Sequence, residues 1–541
     1  MKIFITLLLS LLSGFTIQGG SASGATGSIE IATIGENTVD PTASAPFVDV
    51  WVDSASRSVR TKLIAGLRTG NHIARSELRH GLVQSVGTCT YTEGGSPCTV
   101  SSFTDIPPSD CDLTKCNKVV AVLASTVTKV VFKHRGVYEG WGNNKGGRDG
   151  SIITVSNLNA SGKGSFRQAL LDACSSNNRY ITFSVGGTVT LTYSDTSGLN
   201  NGLRVCGNNI MVDGFTAPDP GITITQYGLN IHVLGPGGLS DPKATHDIIL
   251  RGFRIRKGGF SRGNCDGVAP DDCEPQVINI ETGLSRYAGP NRVHHLVIDH
   301  LSISGGRDDT VGVSSGSHDI TLSWNYLSAG AASHQGYLMD SGSYNVTQHH
   351  NRYSKISRRN PQITYHDVNT GSTSATTPST ISADIRYNTI VLGKESSEAS
   401  QWGLLVAGGA KVNAIKNYFT TDSSLKGDDC GLNNAIIVCN PGSRWRNGST
   451  MNTCDFCSNN DACRRSSDVY LDGNTFVSPH ARAPAIDLNT LDVNVSSPIS
   501  SPTVTGEATA TLAACAVRQK GGMRPLDSHD ITQESYYANP C

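Results

Sequence analysis

Between residues 246 and 478 the chain repeats a short pattern of positions: an apolar anchor, a few alternating residues, then a second apolar pair. It reads HDIILRGFRIR from His246, HHLVIDHLSIS from His294, HDITLSWNYLS from His318 and NVTQHHNRYS from Asn345. ISADIRYNTIV from Ile381, KVNAIKNYFT from Lys411 and DVYLDGNTFVS from Asp468 continue it. Alternation over so few residues predicts short, half-buried strands. Leu296, Ile320 and Val346 are 24 and then 26 residues apart, with longer gaps elsewhere. A strand repeat of that length, with no amphipathic helix, predicts a parallel β-helix with one coil per repeat. Inserted loops would then leave the coil along one side and build a groove. The anchors Ile320, Val346, Ala383, Val412 and Val469 are each followed five residues later by Asn325, Asn351, Asn388, Asn417 and Asn474. Amides stacked at one turn hydrogen-bond along the stack, so these asparagines are expected to be structural.

The block GGRDGSIITVSNLNASGKGSFRQALLDAC, Gly146 to Cys174, stands upstream of the repeats. Ser165 can cap a short helix there that carries Phe166, Ala169, Leu170 and Ala173 on one face. A helix ahead of the first coil would cover the open end of the solenoid. The expected fold is therefore all-β, a right-handed parallel β-helix over residues 141–425 with a short N-terminal capping helix. The missing Leu pattern excludes leucine-rich repeats, and the absence of regularly spaced Trp-Asp pairs excludes propeller blades. A sandwich or barrel is the alternative at the level of fold.

Composition narrows the function. Of 541 residues only 16% are charged, and the net charge is −1. That excludes a broadly cationic nucleic-acid binder, which needs positive charge to displace counterions. Lys2, the apolar run Ile3 to Leu12 and the small residues Ser21 to Ser23 read as a signal peptide over 1–22. The run is shorter than the roughly 20 apolar residues of a membrane span, so a secreted, extracellular, monomeric protein is expected, with no membrane association. Fifteen cysteines agree with an oxidising compartment. Cys89 and Cys98, Cys111 and Cys116, Cys265 and Cys273, and Cys430 and Cys439 are close enough to form short loops, though spacing alone leaves connectivity open. Cys454, Cys457 and Cys463 are read as disulfide partners in preference to a zinc knuckle. Asn159, Asn345, Asn447 and Asn494 are glycosylation sequons, usable in a eukaryotic secretory route. Residues 23–140 carry no recognisable motif, and 426–541 form a Cys-rich extension with a last coil near 468–478.

Six segments in order resemble the pectate lyases of the parallel β-helix type: the Gly146 block, DGFTAPDPGITI, HDIILRGFRIRKG, VIDHLSIS with RDDTVGV, ITLSWNYLS, and HHNRYSKISRRNP. The resemblance runs from about Gly142 to Thr420. It implies a secreted lyase that cuts polygalacturonate or a related acidic polysaccharide by β-elimination, usually with Ca²⁺. On the family pattern Arg359, in Arg359-Asn360-Pro361, is the proton-abstracting base. Asp308 and Asp309 stand at the acidic calcium pair, and Glu274 on the preceding coil is a third candidate ligand. Arg358, Gln335 and Arg256 are the expected substrate contacts. The chain departs from the pattern at Gln276 and Gly312, where relatives carry acids. It departs again at Gln335, where many have Lys, and at Thr364, where a second Arg often follows.

The chemistry asks for the same residue types. β-Elimination on a uronate requires loss of the proton α to the carboxylate, cations to neutralise that carboxylate, and departure of the leaving oxygen. Positive charge is concentrated in two places, Arg251, Arg254, Arg256, Lys257 and Arg262, and Arg352, Lys355, Arg358 and Arg359. Free guanidinium is ordinarily protonated, so clamping a substrate carboxylate is the more conservative role for Arg359. Carboxylates suit Ca²⁺, which takes six to eight oxygens. Two other readings stay open: a glycoside hydrolase using Asp308 and Asp309, and a non-catalytic wall-binding β-helix. Adjacent strand residues point to opposite faces, which argues against the hydrolase pair. His294, His295, His300, His349 and His350 are expected to be mainly structural.

Overall fold

The computed structural model describes residues 25–35, 48–52, 58–59, 62–78, 83–105, 115–134, 138–144, 146–147, 150–192, 202–233, 245–258, 276–281, 291–305, 309–328, 335–356, 358–364, 381–393, 401–421, 433–438, 467–477, 485–487, 495–535 and 539–541. They fall into two units, divided near residue 135.

In the C-terminal unit the repeats stack into three parallel sheets. The first has ten strands, from Ser151–Val155 to Asp468–Asp472. The second has nine, from Gly187–Thr190 to Thr475–Val477, and the third nine, from Gly202–Val205 to Ala485–Asp487. Successive coils pair in order, so Ile248, Leu296, Ile320, Val346, Ala383, Val412 and Val469 are register partners. Their side chains fill one core with Ile255, Ile303 and Leu327 of the second sheet and Ile278, Val311 and Tyr337 of the third. This is the expected parallel β-helix. All three sheets continue past residue 425 through 433–438, 468–472, 475–477 and 485–487.

The asparagine positions form the predicted ladder. Asn325 Nδ2 donates to Asn351 Oδ1 at 2.9 Å, Asn351 to Asn388 at 3.1 Å, Asn388 to Asn417 at 3.1 Å and Asn417 to Asn474 at 3.0 Å. Each Nδ2 also reaches a backbone carbonyl one coil back, as Asn351 does to Leu322. The residue before each rung, Trp324, His350, Tyr387, Lys416 or Gly473, takes a left-handed φ of 50–60° to turn the coil. Three of these side chains stack beside the amides: Trp324 on His350 at 4.1 Å and His350 on Tyr387 at 5.1 Å. A second stack joins His246, His294, His318 and Tyr344 on the first sheet, at 4.8, 5.1 and 4.6 Å.

The capping helix α1, Phe166–Ser176, begins at Ser165, whose hydroxyl accepts from the Gln168 amide at 3.2 Å. Phe166, Ala169, Leu170 and Ala173 face the core, as their spacing predicts, and Cys174 is bonded to Cys206. At the other end of the chain α2, Ala510–Lys520, and α3, Ser528–Glu534, lie against the second sheet, tied by Cys515–Cys541.

The N-terminal unit contains a five-stranded sheet and a four-stranded sheet that share the core residues Ile29, Ile31, Val52, Ala74, Val86, Val120, Val130 and Phe132. The sandwich architecture, set aside for the repeats, occurs here. Its Cys89–Cys98 bond is one of the loops expected from spacing. Cys111, Cys265, Cys273, Cys430, Cys439, Cys454, Cys457 and Cys463 lie outside the described residues, as do the signal segment and the sequons at Asn447 and Asn494. Asn159 is exposed, whereas the Asn345 amide is engaged by Asp319 and Ser382. Among the described residues no helix is long and apolar enough to cross a membrane.

Candidate functional site

The third sheet brings four of the candidate residues together. Asp309 opens the strand Asp309–Val313, Gln335 opens Gln335–Met339 on the next coil, and Arg358 and Arg359 precede Gln362–Ile363 on the one after. Asp309 and Gln335 are register partners, and Gln335 bridges to Arg358. Stacked coils are about 4.8 Å apart, so a side chain must be long to span two of them. Arg359 does this: its guanidinium Nη1 lies 2.8 Å from both carboxylate oxygens of Asp309. The Arg359 side chain is 23% exposed while that of Asp309 is fully buried.

The backbone holds Arg359 as firmly as its side chain. The residue is left-handed, with φ 62°, which is uncommon for a side chain branching only beyond Cβ. Its carbonyl accepts from the Tyr337 amide at 2.6 Å, and the Arg358 carbonyl from Gly336 at 3.0 Å. Gly336 is needed there, since a Cβ would come within 2.4 Å of the Arg359 oxygen. The next residue, Asn360, is buried and donates to the carbonyls of Ile356 and Trp402 at 2.9 and 3.1 Å.

Asp309 shares the strand parity of Val311 and Val313, both core residues, so it points inward and away from the groove. A side chain buried there requires a partner of opposite charge, and Arg359 supplies it. Gly312 has the outward parity, but the Gln276 side chain covers it: a Cβ on Gly312 would meet Gln276 Cγ at 2.8 Å. The two departures from the family pattern are thus in contact, and an acid at 312 would require Gln276 to move. Among the described residues no three His, Cys, Asp or Glu side chains gather into a metal cluster. The described part of the site does not fit a calcium shell, because Asp309 is turned toward a guanidinium. Asp308 and Glu274, the other expected ligands, lie outside the described residues.

Arg256 is not brought to this group. It lies on the second sheet, where Asp527 binds it bidentately at 2.9 and 3.1 Å and Asp530 adds a contact at 2.9 Å. Arg254 is beside it with Asp527 at 3.6 Å, and the wholly buried Arg352 pairs with Glu534 at 2.7 Å. Much of the positive charge that looked like groove lining in the sequence is covered by α3 and its N-cap. The contact was not legible because these carboxylates are some 180 to 270 residues away in the chain. Lys257 is also buried and faces the Gln276 carbonyl at 3.4 Å. The histidines are packed: His300 bonds Asp299 at 2.8 Å, His350 bonds Glu507 at 2.8 Å, and His294 and His295 face each other at 2.7 Å.

Fold and site together define a parallel β-helix whose third sheet carries an arginine at its lip, seated on a buried carboxylate. Searching the family models finds no match to the chain. Among curated proteins it is 33% identical over 227 residues to a probable pectate lyase C of Aspergillus terreus, and 33% identical over 229 residues to that of Aspergillus flavus. Each match covers 42% of this chain and 43% of the relative, so it spans less than half the length of these curated relatives. Over the matched segment the chain is therefore similar to these pectate lyases. Among solved structures, a Bacillus pectate lyase in complex with trigalacturonate overlays 71% of this chain and 98% of its own, at 16% identity and a TM-score of 0.42. The cedar pollen allergen jun a 1 overlays 71% of this chain and 93% of its own, at 14% identity and a TM-score of 0.41.

Proposed function

We propose that this chain is an extracellular polysaccharide lyase that cleaves pectate or a related uronate polymer by β-elimination. The observation that carries the reading is the Arg359–Asp309 pair on the third sheet, in the segment motif Arg-Asn-Pro that resembles the family's catalytic block. In that ion pair Arg359 is a cation. A cation at the uronate carboxylate stabilises the charge that builds there as the α-proton passes to solvent water or hydroxide. That electron pair forms the double bond as the bond to the leaving oxygen breaks, and the leaving oxygen takes a proton from water, giving an unsaturated sugar end. Arg358, bridged to Gln335 on the preceding coil, is the neighbouring cation for an adjacent carboxylate. Calcium, when bound, supplies the same neutralisation, and Asp308 and Glu274 are the residues left to hold it.

The burial and pairing of Asp309 weigh against the glycoside hydrolase, which would need that carboxylate at the scissile bond. The covered Gly312, with Gln276 and Thr364, favours the non-catalytic wall-binding protein as the second reading. Turnover of polygalacturonate, methylated pectin and alginate, followed by ultraviolet absorbance, decides between them. Unsaturated products from one of these polymers are expected. Reducing ends without unsaturation, or binding without turnover, would overturn the lyase.

A further inference from the structure

We infer that Asp309 is not a metal ligand but the positioning residue for Arg359. The inference rests on the lyase reading for its consequence and on the pair's geometry for its content. Three observations converge. Asp309 has the inward parity of Val311 and Val313, its side chain is fully buried, and both its oxygens lie 2.8 Å from one guanidinium nitrogen. Arg359 reaches that carboxylate across the whole intervening coil of Gln335–Met339. Its backbone is pinned to the same coil through Tyr337 and Gly336. The side chain is therefore anchored at both ends, and 23% of it is left exposed.

An arginine has several rotatable bonds, and an unpaired one would sweep over the groove. The buried carboxylate selects one pose, and a pose error of about 1 Å at a reacting group costs roughly 10²-fold in rate. Metal ligation by Asp309 would instead require it to abandon the Arg359 guanidinium and to turn out of the core.

The test is a double-mutant cycle of wild type, Asp309→Asn, Arg359→Gln and the double variant. It is read as kcat and KM on polygalacturonate, half-saturating calcium, and calorimetric affinity for trigalacturonate. Asp309→Asn is expected to lower kcat about 10²-fold and to weaken trigalacturonate binding, with half-saturating calcium changed less than twofold. The double variant should be no worse than Arg359→Gln, since the carboxylate acts only through the arginine. Its neutral amide pair keeps the buried contact, so it remains informative where Asp309→Asn alone folds poorly. Additive losses would overturn the inference. So would an Asp309→Asn enzyme whose kcat is restored by excess calcium, the behaviour of a metal ligand. If wild type yields no unsaturated product, the lyase reading fails by itself. The same cycle in trigalacturonate affinity then decides the pair: non-additive losses sustain it, and additive losses or none sink it. Absence of wild-type binding sinks both.

Discussion

Arg359 combines three unusual features in one residue: a left-handed backbone, a side chain spanning two coils, and a fully buried counter-ion. None is needed for a surface charge, and together they hold the guanidinium in one place. Truncation to Arg359→Ala is expected to lower kcat/KM by at least about 10²-fold, the scale of losing one preorganised electrostatic contact. Steady-state turnover beside a melting curve separates that loss from unfolding. A Gly312→Asp substitution tests the covered position. It should be poorly tolerated, because its Cβ alone meets Gln276 at 2.8 Å, and improved by Gln276→Ala, measured as a melting temperature.

Among the elements, the asparagine ladder has the clearest energetic content. Asn388 is fully buried; it donates to Gln348 and Asn417 and accepts from the backbone and side chain of Asn351. Asn388→Ala leaves those groups unsatisfied, and each stranded buried group costs about 1–3 kcal/mol. A loss of about 3 kcal/mol is expected in chemical denaturation, with the largest effect for the inner rungs and the smallest for Asn474, which is half-exposed at the end of the ladder. The coverage of the second sheet by α3 has a comparable weight. Glu534 neutralises Arg352 at 2.7 Å and Arg518 at 3.0 Å, and accepts from the Tyr326 hydroxyl. Glu534→Gln strands a buried guanidinium, and a broken buried pair typically costs about 3–5 kcal/mol. Protease sensitivity of residues 495–541 is the direct readout, rising in the variant.

For the whole unit, burial of histidine makes stability depend on pH in one direction. Burial pushes His232 down to about 3, with the Arg204 charge adding to it. Burial likewise pushes His294 down to about 4, helped by His246 and its neighbours in the stack. A histidine depressed in the folded state is protonated first in the unfolded chain, so stability is complete above about pH 6.5 and falls as the pH drops toward the folded value. Hydrogen bonds from His246 and His350 hold Asp247 and Glu507 low, and these carboxylates add to the loss further into acid. The expected outcome is a melting temperature steady near neutrality that declines from about pH 6 to pH 4. A His232→Gln variant should flatten that decline; an unchanged slope would remove His232 from the account.

What could be read from the chain differed by kind of contact. Repeated contacts were legible: the anchors from Leu296 to Val469, the Asn325 to Asn474 rungs and the α1 face each follow a period, and a period puts like residues in register whatever the loops do. The pairing of chemistry-bearing residues was not. Asp309 and Arg359 are 50 residues apart with no shared period, so nothing along the chain pairs them. Arg256 looked like groove lining until Asp527 closed over it from 271 residues away. The N-terminal unit has no repeat to read, and only folding brings Ile29 and Val120 into one core. The sequence by itself determined the solenoid and its turns, because local alternation and stacking repeat every coil. The tertiary structure alone decided which charges face the groove and which neutralise one another, because a charge takes its partner from across the fold.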